Sequence, residues 1–399
     1  MSRGAARGSP ATARAEFPAT RQWTYLDVAS RAPMPDRVAA ELGDYIATYQ
    51  AEGVPKGEWL DRVERVRART ARLLHADPQE VAFTKSTSDG INQLAHALGL
   101  GPGDNVVVCP EIEHANNLYP WLHLRDRGLE VRMVEAVGGE LSLDRVAAAV
   151  DARTRVLALS SVSFVTGARA DLDACGTLCR DRDVFLLVDG VQELGALPMD
   201  PRAAGVDGLV AATQKMLLGA YGLGLMWCRS ERIEQLRPPF LTRMGVDWGE
   251  GHEADLGLDY RLADGAARFE VGNPNFAGVF TLDAALSLLE EVGQPAIADH
   301  VLALARRLMD GLTDRGIEVV TPTRPTAHAG IVVFDHPRAE QLHAALEERG
   351  VKLALRRGAL RASVHLFNAE EDVDTLLAHL DDLAHLSDPN APTSPDAPL

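Results

Sequence analysis

The sequence predicts an α/β protein, with a large unit built on a mostly parallel sheet and a smaller α+β unit behind it. Short apolar runs alternate with helical patterns, as they do in βαβ units. The runs are apolar at nearly every position, which suits strands covered on both faces. Residues with useful chemistry stand where those runs stop, at the strand ends where open α/β sheets collect ligands.

In chain order, Val81-Ala82-Phe83-Thr84 reads as a strand that breaks into the hydroxyl-rich Ser86-Thr87-Ser88. A helix follows, with Ile91, Leu94, Ala95 and Leu98 on one face. Its free N–H groups and the three hydroxyls form a candidate anion cradle, although an ordinary N-cap has the same composition. Val106 to Val108 and Val156 to Leu159 are further strands. Val184 to Val188 runs into Asp189, and Gly208 to Ala212 stops just before Lys215 and a glycine-rich turn. Gly222 to Trp227 reads as one more strand. From about Phe280 a long helical pattern leads to the smaller unit, with strands over 317–320, 330–334 and the Arg361 segment and a helix over 338–348. Residues 1–20 and 387–399 are rich in Pro, Ser and Ala and are expected to lack fixed structure. The large unit then covers 21–280 and the small one 281–386, with no internal repeat.

Three of these positions belong together chemically. A lysine amine is a nucleophile only when burial or a neighbouring charge makes its neutral form accessible, and Lys215 follows a buried strand. Asp189 ends another such strand, and a buried carboxylate needs a cationic partner; a protonated pyridine nitrogen would serve. Gln192 stands three residues on, where its amide can bond a ring hydroxyl. Each residue alone is common in loops, but the order cradle, acid, lysine is not.

With these residues the chain resembles fold-type I pyridoxal-phosphate enzymes, specifically the class V aminotransferase group that includes cysteine desulfurases and isopenicillin N epimerase-like proteins. The resemblance spans about residues 20 to 385. Its anchors are Tyr25-Leu26-Asp27, residues 83–92, 113–121, 189–192, Gln214-Lys215, 268–275 and 360–368. It implies a seven-stranded type of sheet, pyridoxal 5′-phosphate as cofactor, and a homodimer with shared active sites. Lys215 would hold the cofactor as an aldimine and move the α-proton, and Asp189 would face the ring nitrogen. Gln192 would meet the ring oxygen, Thr87 and Ser88 the phosphate, and His114 would stack on the ring. Asn117 would touch ring or substrate, Arg361 would clamp a substrate carboxylate, and Asn273 would reach the neighbouring subunit's phosphate site.

There are departures as well. Gln214 and Ala212 replace a usual histidine and hydroxyl residue beside the lysine, and Asn273 replaces a frequent threonine. Desulfurases carry a persulfide-forming cysteine shortly before the carboxylate-binding arginine. Here the cysteines are Cys109, Cys175, Cys179 and Cys228, and residues 347–358 contain none. The expected reaction is therefore β-elimination from a cysteine-like amino acid, a C–S lyase needing no protein thiol. The alternatives are an aminotransferase or epimerase, with Tyr119, Tyr221, His123 and His365 as acids to consider, or a relative that has lost catalysis and serves as a binding protein. Arg31, Arg243, Trp248 and His252 lie in segments suited to varying substrate choice.

Composition bounds the remaining classes. The chain has 399 residues, 46% of them hydrophobic, enough for a large core. A net charge of −17 argues against nucleic acid and against an anionic membrane surface, and no apolar run is long enough to span a bilayer. Cys175 and Cys179 lie one helical turn apart but lack a second ligand pair, so no metal site is expected. The first residues carry positive charge without a following apolar stretch, so no secretory signal is read, and the cytoplasm is expected.

Overall fold

The computed structural model describes residues 8–249 and 259–387. Its centre is a seven-stranded sheet of β1 (Val81–Thr84), β2 (Asn105–Val108), β3 (Glu130–Met133), β4 (Thr154–Ser160), β5 (Phe185–Asp189), β6 (Gly208–Ala212) and β7 (Gly224–Cys228). The spatial order is β1-β7-β6-β5-β4-β2-β3. Strand β7 runs antiparallel to both neighbours and every other pairing is parallel, so β1, β2, β4, β5 and β6 all end on one edge. Every residue of β5, β6 and β7 is buried, which explains why their sequence is a continuous apolar run.

Eight helices matter for the site: α1 (Asp36–Glu52), α2 (Lys56–Leu73), α3 (Thr87–Ala97), α4 (Leu172–Arg182), α5 (Phe276–Val292), α6 (Gln294–Asp314), α7 (Ala339–Glu348) and α8 (Glu370–Asp382). Helix α3 packs on β6 and β7. Its fit is close, because a Cβ on Gly90 would stand 2.9 Å from Val210 Cγ1. Helices α1 and α2 pack against α5, while α6 lies against α8 and the second sheet. That sheet is antiparallel, in the order β8 (Ile331–Phe334), β10 (Ala359–Ser363), β9 (Ala354–Arg356). The N-terminal segment reaches across to it: Thr24–Tyr25 pairs in parallel with Val351–Lys352, and Asp27 bridges to Ser363. Among the described residues, no helix is long and apolar enough to cross a membrane.

Three expectations are corrected. Residues 8–20 are ordered, as short turns that begin with Pro10 and Pro18. Phe17 is fully buried against Phe367, with ring centroids 4.6 Å apart, and Arg14 pairs with Asp372 at 2.7 Å. Composition hid this because one aromatic residue anchors the whole stretch. The span 317–320 forms a single bridge, Val319 to Phe334, rather than a strand. The Thr321 hydroxyl takes the Val333 N–H (2.8 Å) and bonds the Thr166 carbonyl, which ends the backbone ladder. The helical pattern expected from Phe280 begins at Phe276 and is two helices, broken at Gly293, whose φ of 88° is left-handed, with Pro295 opening α6. Residues 388–399, most of the expected C-terminal tail, lie outside the described residues, as do residues 1–7.

Phe17→Ala should cost about 3–5 kcal/mol, the usual range for emptying a buried aromatic site. Urea unfolding of the purified protein checks this; a loss within experimental error would mean the N-terminal segment adds nothing to the core.

Candidate active site

At the carboxyl edge of the large sheet lies a cavity of about 330 Å³. Lys215 and Gln214 enter it from the turn after β6, and Asp189 and Gln192 from the end of β5. Thr213 secures the lysine turn: its hydroxyl bonds the carbonyls of Ala220 (2.6 Å) and Leu223 (3.0 Å), and its carbonyl accepts Gly219 N–H (2.8 Å). The turn forces Leu218 into the left-handed region at φ 59°, a conformation a leucine adopts only when its surroundings require it. Burial pulls the Lys215 amine down to about 8, although Asp189 pulls the other way. Burial likewise raises the Asp189 carboxyl, which the Val191 N–H (3.0 Å) and Lys215 oppose.

Thr87 and Ser88 also line the cavity, at the N-terminus of α3. Ser86 is the N-cap and its hydroxyl accepts Asp89 N–H at 3.3 Å, while Asp89 accepts Lys85 N–H at 2.8 Å. Capping is thus done by Ser86 and Asp89. The Thr87 hydroxyl stays buried without a partner, beside first-turn N–H groups that no helix can satisfy internally. Glycine at 224 lets this turn lie on β7, since a Cβ there would stand 2.5 Å from the Ser86 carbonyl carbon.

The cavity walls complete the set. His114 caps a short turn, its Nδ1 accepting Asn116 N–H at 3.1 Å, and its ring meets Phe164 at 4.8 Å. Burial, then Lys215, Arg356 and Arg361, lower its pKa, so the ring is neutral and free to stack. Arg361 is 1% exposed; its Nη1 bonds the Phe164 carbonyl (3.0 Å), Nη2 bonds Ser30 Oγ (2.7 Å), and Nε is buried without a partner. Burial draws it down to about 10, so it remains a cation at neutral pH.

Two expected residues stand elsewhere. Asn117 is fully buried and donates to Glu113 Oε2 (3.0 Å), and its neighbour Asn116 lines the cavity instead. In the single turn Ala115–Asn117 the second asparagine points inward behind the wall. Asn273 is exposed, accepts from Arg243 Nη2 at 2.6 Å, and does not line this cavity. Nor do Tyr119, Tyr221, His123 or His365. The two tyrosines are 66% and 65% exposed, and His365 is buried on the Met216 carbonyl with its pKa down to about 4. Arg31 lines an adjoining hollow with Asp27, Glu347 and Lys352, which shares Arg356 with the cavity; Trp248 donates to the Arg243 carbonyl, and His252 lies outside the described residues.

Sequence reasoning missed Glu113, Ser160, Ser30 and Arg356. Glu113 is wholly buried and accepts Ser160 N–H (2.6 Å), Ser160 Oγ (2.6 Å) and Asn117 Nδ2. It ties the His114 turn to the end of β4, and burial pushes its carboxyl up to about 7. The acid stood in plain view beside His114, but its partner lies 47 residues away. Behind Glu113 and Ser160 a larger crevice of about 640 Å³ contains none of the site residues expected from the sequence. All four cysteines are buried, free and outside the Lys215 cavity. Among the described residues, no cluster of three metal-ligating side chains occurs.

The donor set fits a phosphorylated pyridine aldehyde. Burial brings the amine down to about 8, a buried acid suits a ring nitrogen, and Gln192 Oε1 has no partner while Nε2 donates to the Ala29 carbonyl (3.0 Å). The orphaned Thr87 hydroxyl and the α3 N-terminus suit a phosphate.

Comparison with known proteins points the same way. The aminotransferase class-V family pattern matches residues 24–376. A probable cysteine desulfurase of Methanothermobacter thermautotrophicus is 31% identical over 406 residues, which cover 93% of this chain and 97% of that protein. The apo structure of a cysteine desulfurase from Thermococcus onnurineus NA1 superposes with a TM-score of 0.85 at 25% identity, covering 94% of this chain and 98% of the other. The Escherichia coli cysteine desulfurase gives 0.84 at 26%, covering 95% and 99%.

Glu113 generates a pH signature. Its folded pKa, about 7, lies above the ordinary 4.5, so it adds stability that is full below pH 4.5 and is lost as pH climbs through about 7. The shift corresponds to about 3 kcal/mol. Denaturant unfolding across that range should show a clearly smaller fall in Glu113→Gln than in the natural protein, the remainder coming from groups such as Asp189 that are raised the same way; parallel curves would remove Glu113 as a source.

Proposed function

The chain belongs to the class-V aminotransferase family, and on that premise we propose that it is a pyridoxal-phosphate-dependent C–S lyase acting at Cα and Cβ of a cysteine-type amino acid. Pyridoxal 5′-phosphate is its cofactor. Lys215 would hold it covalently, Asp189 would face its ring nitrogen, Gln192 its ring hydroxyl, His114 its face, and Thr87 with Ser88 its phosphate. Bound there, the cofactor supplies an electron sink conjugated to Cα of the amino acid.

The chain's own groups then do three things. Arg361 takes the substrate carboxylate on Nε, its unspent buried donor, while Ser30 and Phe164 fix the guanidinium plane. Lys215, its pKa brought down to about 8, has an accessible neutral fraction, roughly a tenth at pH 7, and in that form accepts the proton leaving Cα. The Cβ–S bond then breaks with its electron pair departing on sulfur, and the unsaturated amino acid takes up water to give pyruvate and ammonia.

One observation carries the choice of lyase over sulfur transfer to the protein: all four thiols are buried away from the cavity. Burial pushes Cys109 up to about 11 and Cys175 to about 12, so neither is a thiolate at neutral pH. The relatives named as desulfurases are matched in fold and cofactor chemistry, and this chain departs from them at the sulfur-accepting step. We also assign Asn273, exposed outside its own cavity, to the phosphate site of a second subunit in a homodimer. Four free cysteines suit a reducing compartment, and we place the protein in the cytoplasm.

Incubation with S-substituted cysteines should release pyruvate, ammonia and a thiol in equal amounts. Conversion of the cofactor to its amine form would indicate transamination, and deuterium uptake at Cα without bond loss would indicate epimerisation; either outcome overturns the lyase assignment. Lys215→Ala should abolish the visible absorption of the covalent link and slow turnover by roughly 10²–10⁴-fold. Arg361→Gln should raise KM about 10–100-fold with the absorption intact, the size of a lost charge-assisted hydrogen bond.

A further inference from the structure

The substrate side of the cavity holds two guanidiniums, and one α-carboxylate accounts for only one of them. Arg361 is deep and fixed by two hydrogen bonds, with Asp27 3.5 Å away to offset part of its charge. Arg356, the last residue of β9, also lines the cavity, at its exposed side. Its Nη2 reaches the same Ser30 Oγ at 3.3 Å and its Nη1 bonds the Leu355 carbonyl at 3.0 Å. Among the described residues, it has no ion-pair partner.

Its position is bounded by three neighbours. The Arg356 charge is felt at His114, Lys215 and Arg361, the three groups that surround the place where an amino acid would sit. Among the described residues, Asp189 is the only carboxylate lining the cavity, and the ring nitrogen would engage it. Two adjacent cations tied to one serine hydroxyl repel each other, and a second substrate anion relieves that repulsion. The mobility of Arg356 is limited at its root. Arg357 and Gly358, at φ 49° and 86°, form a two-residue hairpin that joins β9 to β10, so the guanidinium is carried on a rigid ladder beside Arg361.

Resting on the lyase reading, we propose that Arg356 is a specificity-determining residue that binds a second acidic group on the substrate side chain, a carboxylate, sulfinate or sulfonate beyond Cβ. Arg361 holds the α-carboxylate in the depth of the cavity. Arg356 meets the substituent on sulfur at the mouth, where only its weaker serine contact has to be exchanged.

The test uses two substrates that differ in charge and little else, S-(carboxymethyl)-L-cysteine and its amide S-(carbamoylmethyl)-L-cysteine, with the cofactor-loaded enzyme. The natural protein should favour the acid by about 10–100-fold in kcat/KM, the range of a charge-assisted hydrogen bond. Arg356→Gln should bring the two substrates to within about threefold, and Arg356→Lys should restore part of the preference, since it keeps charge but loses the fork. Arg361→Gln should depress both substrates together. If neither compound turns over, the shift of the cofactor's absorption on titration gives two dissociation constants that report the same preference. Equal use of the two substrates by the natural protein, or an equal loss for both in Arg356→Gln, overturns the proposal. Failure of the lyase reading is distinct, because it shows as a protein that binds no cofactor or yields no pyruvate.

Discussion

A lysine held near neutrality needs burial to strip water from its charged form and a carboxylate placed so that it does not undo that effect. Both conditions come from strand register. Asp189 ends β5 beside Val210 of β6, and Lys215 stands in the turn that follows β6, so acid and amine approach from adjacent strands of a sheet buried on both faces. Burial outweighs the attraction and the amine comes down to about 8. Everything else in the cavity depends on that balance, because an amine held fully charged could neither bond an aldehyde nor accept a proton.

The rest of the fold brings distant segments to that edge. The proposed anion cradle depends on α3 lying close on the sheet, which Gly90 and Gly224 permit. The proposed carboxylate clamp draws on both ends of the chain: Ser30 and Asp27 come from the N-terminal segment, and Arg356 and Arg361 from the C-terminal sheet. Phe17, packed against Phe367, fastens the same two regions together. The core and the clamp therefore share supports, and damage to the N-terminal segment would reach the substrate side of the cavity.

Residues placed by strand ends were legible in the sequence, since a buried parallel strand is a continuous apolar run and its last residue has nowhere to go but the ligand edge. Lys215, Asp189 and the Ser86–Ser88 turn were found that way. Glu113, Ser30 and Arg356 were not, because each acts through a partner far away in the chain and no local pattern marks it. The choice between Asn116 and Asn117 turned on the phase of one short turn, which periodicity does not resolve. Residues 8–20 were misjudged because composition averages over a segment, whereas one phenylalanine decides its fate.

The hairpin at Arg357 and Gly358 has a consequence for traffic. Two residues with left-handed backbones leave no slack between β9 and β10, so no flexible arm from that corner can dip inward to collect what the reaction releases. On the proposed lyase reading, the cleaved sulfur would leave through the mouth as a free small molecule, and its onward use would fall to whatever it next meets in solution.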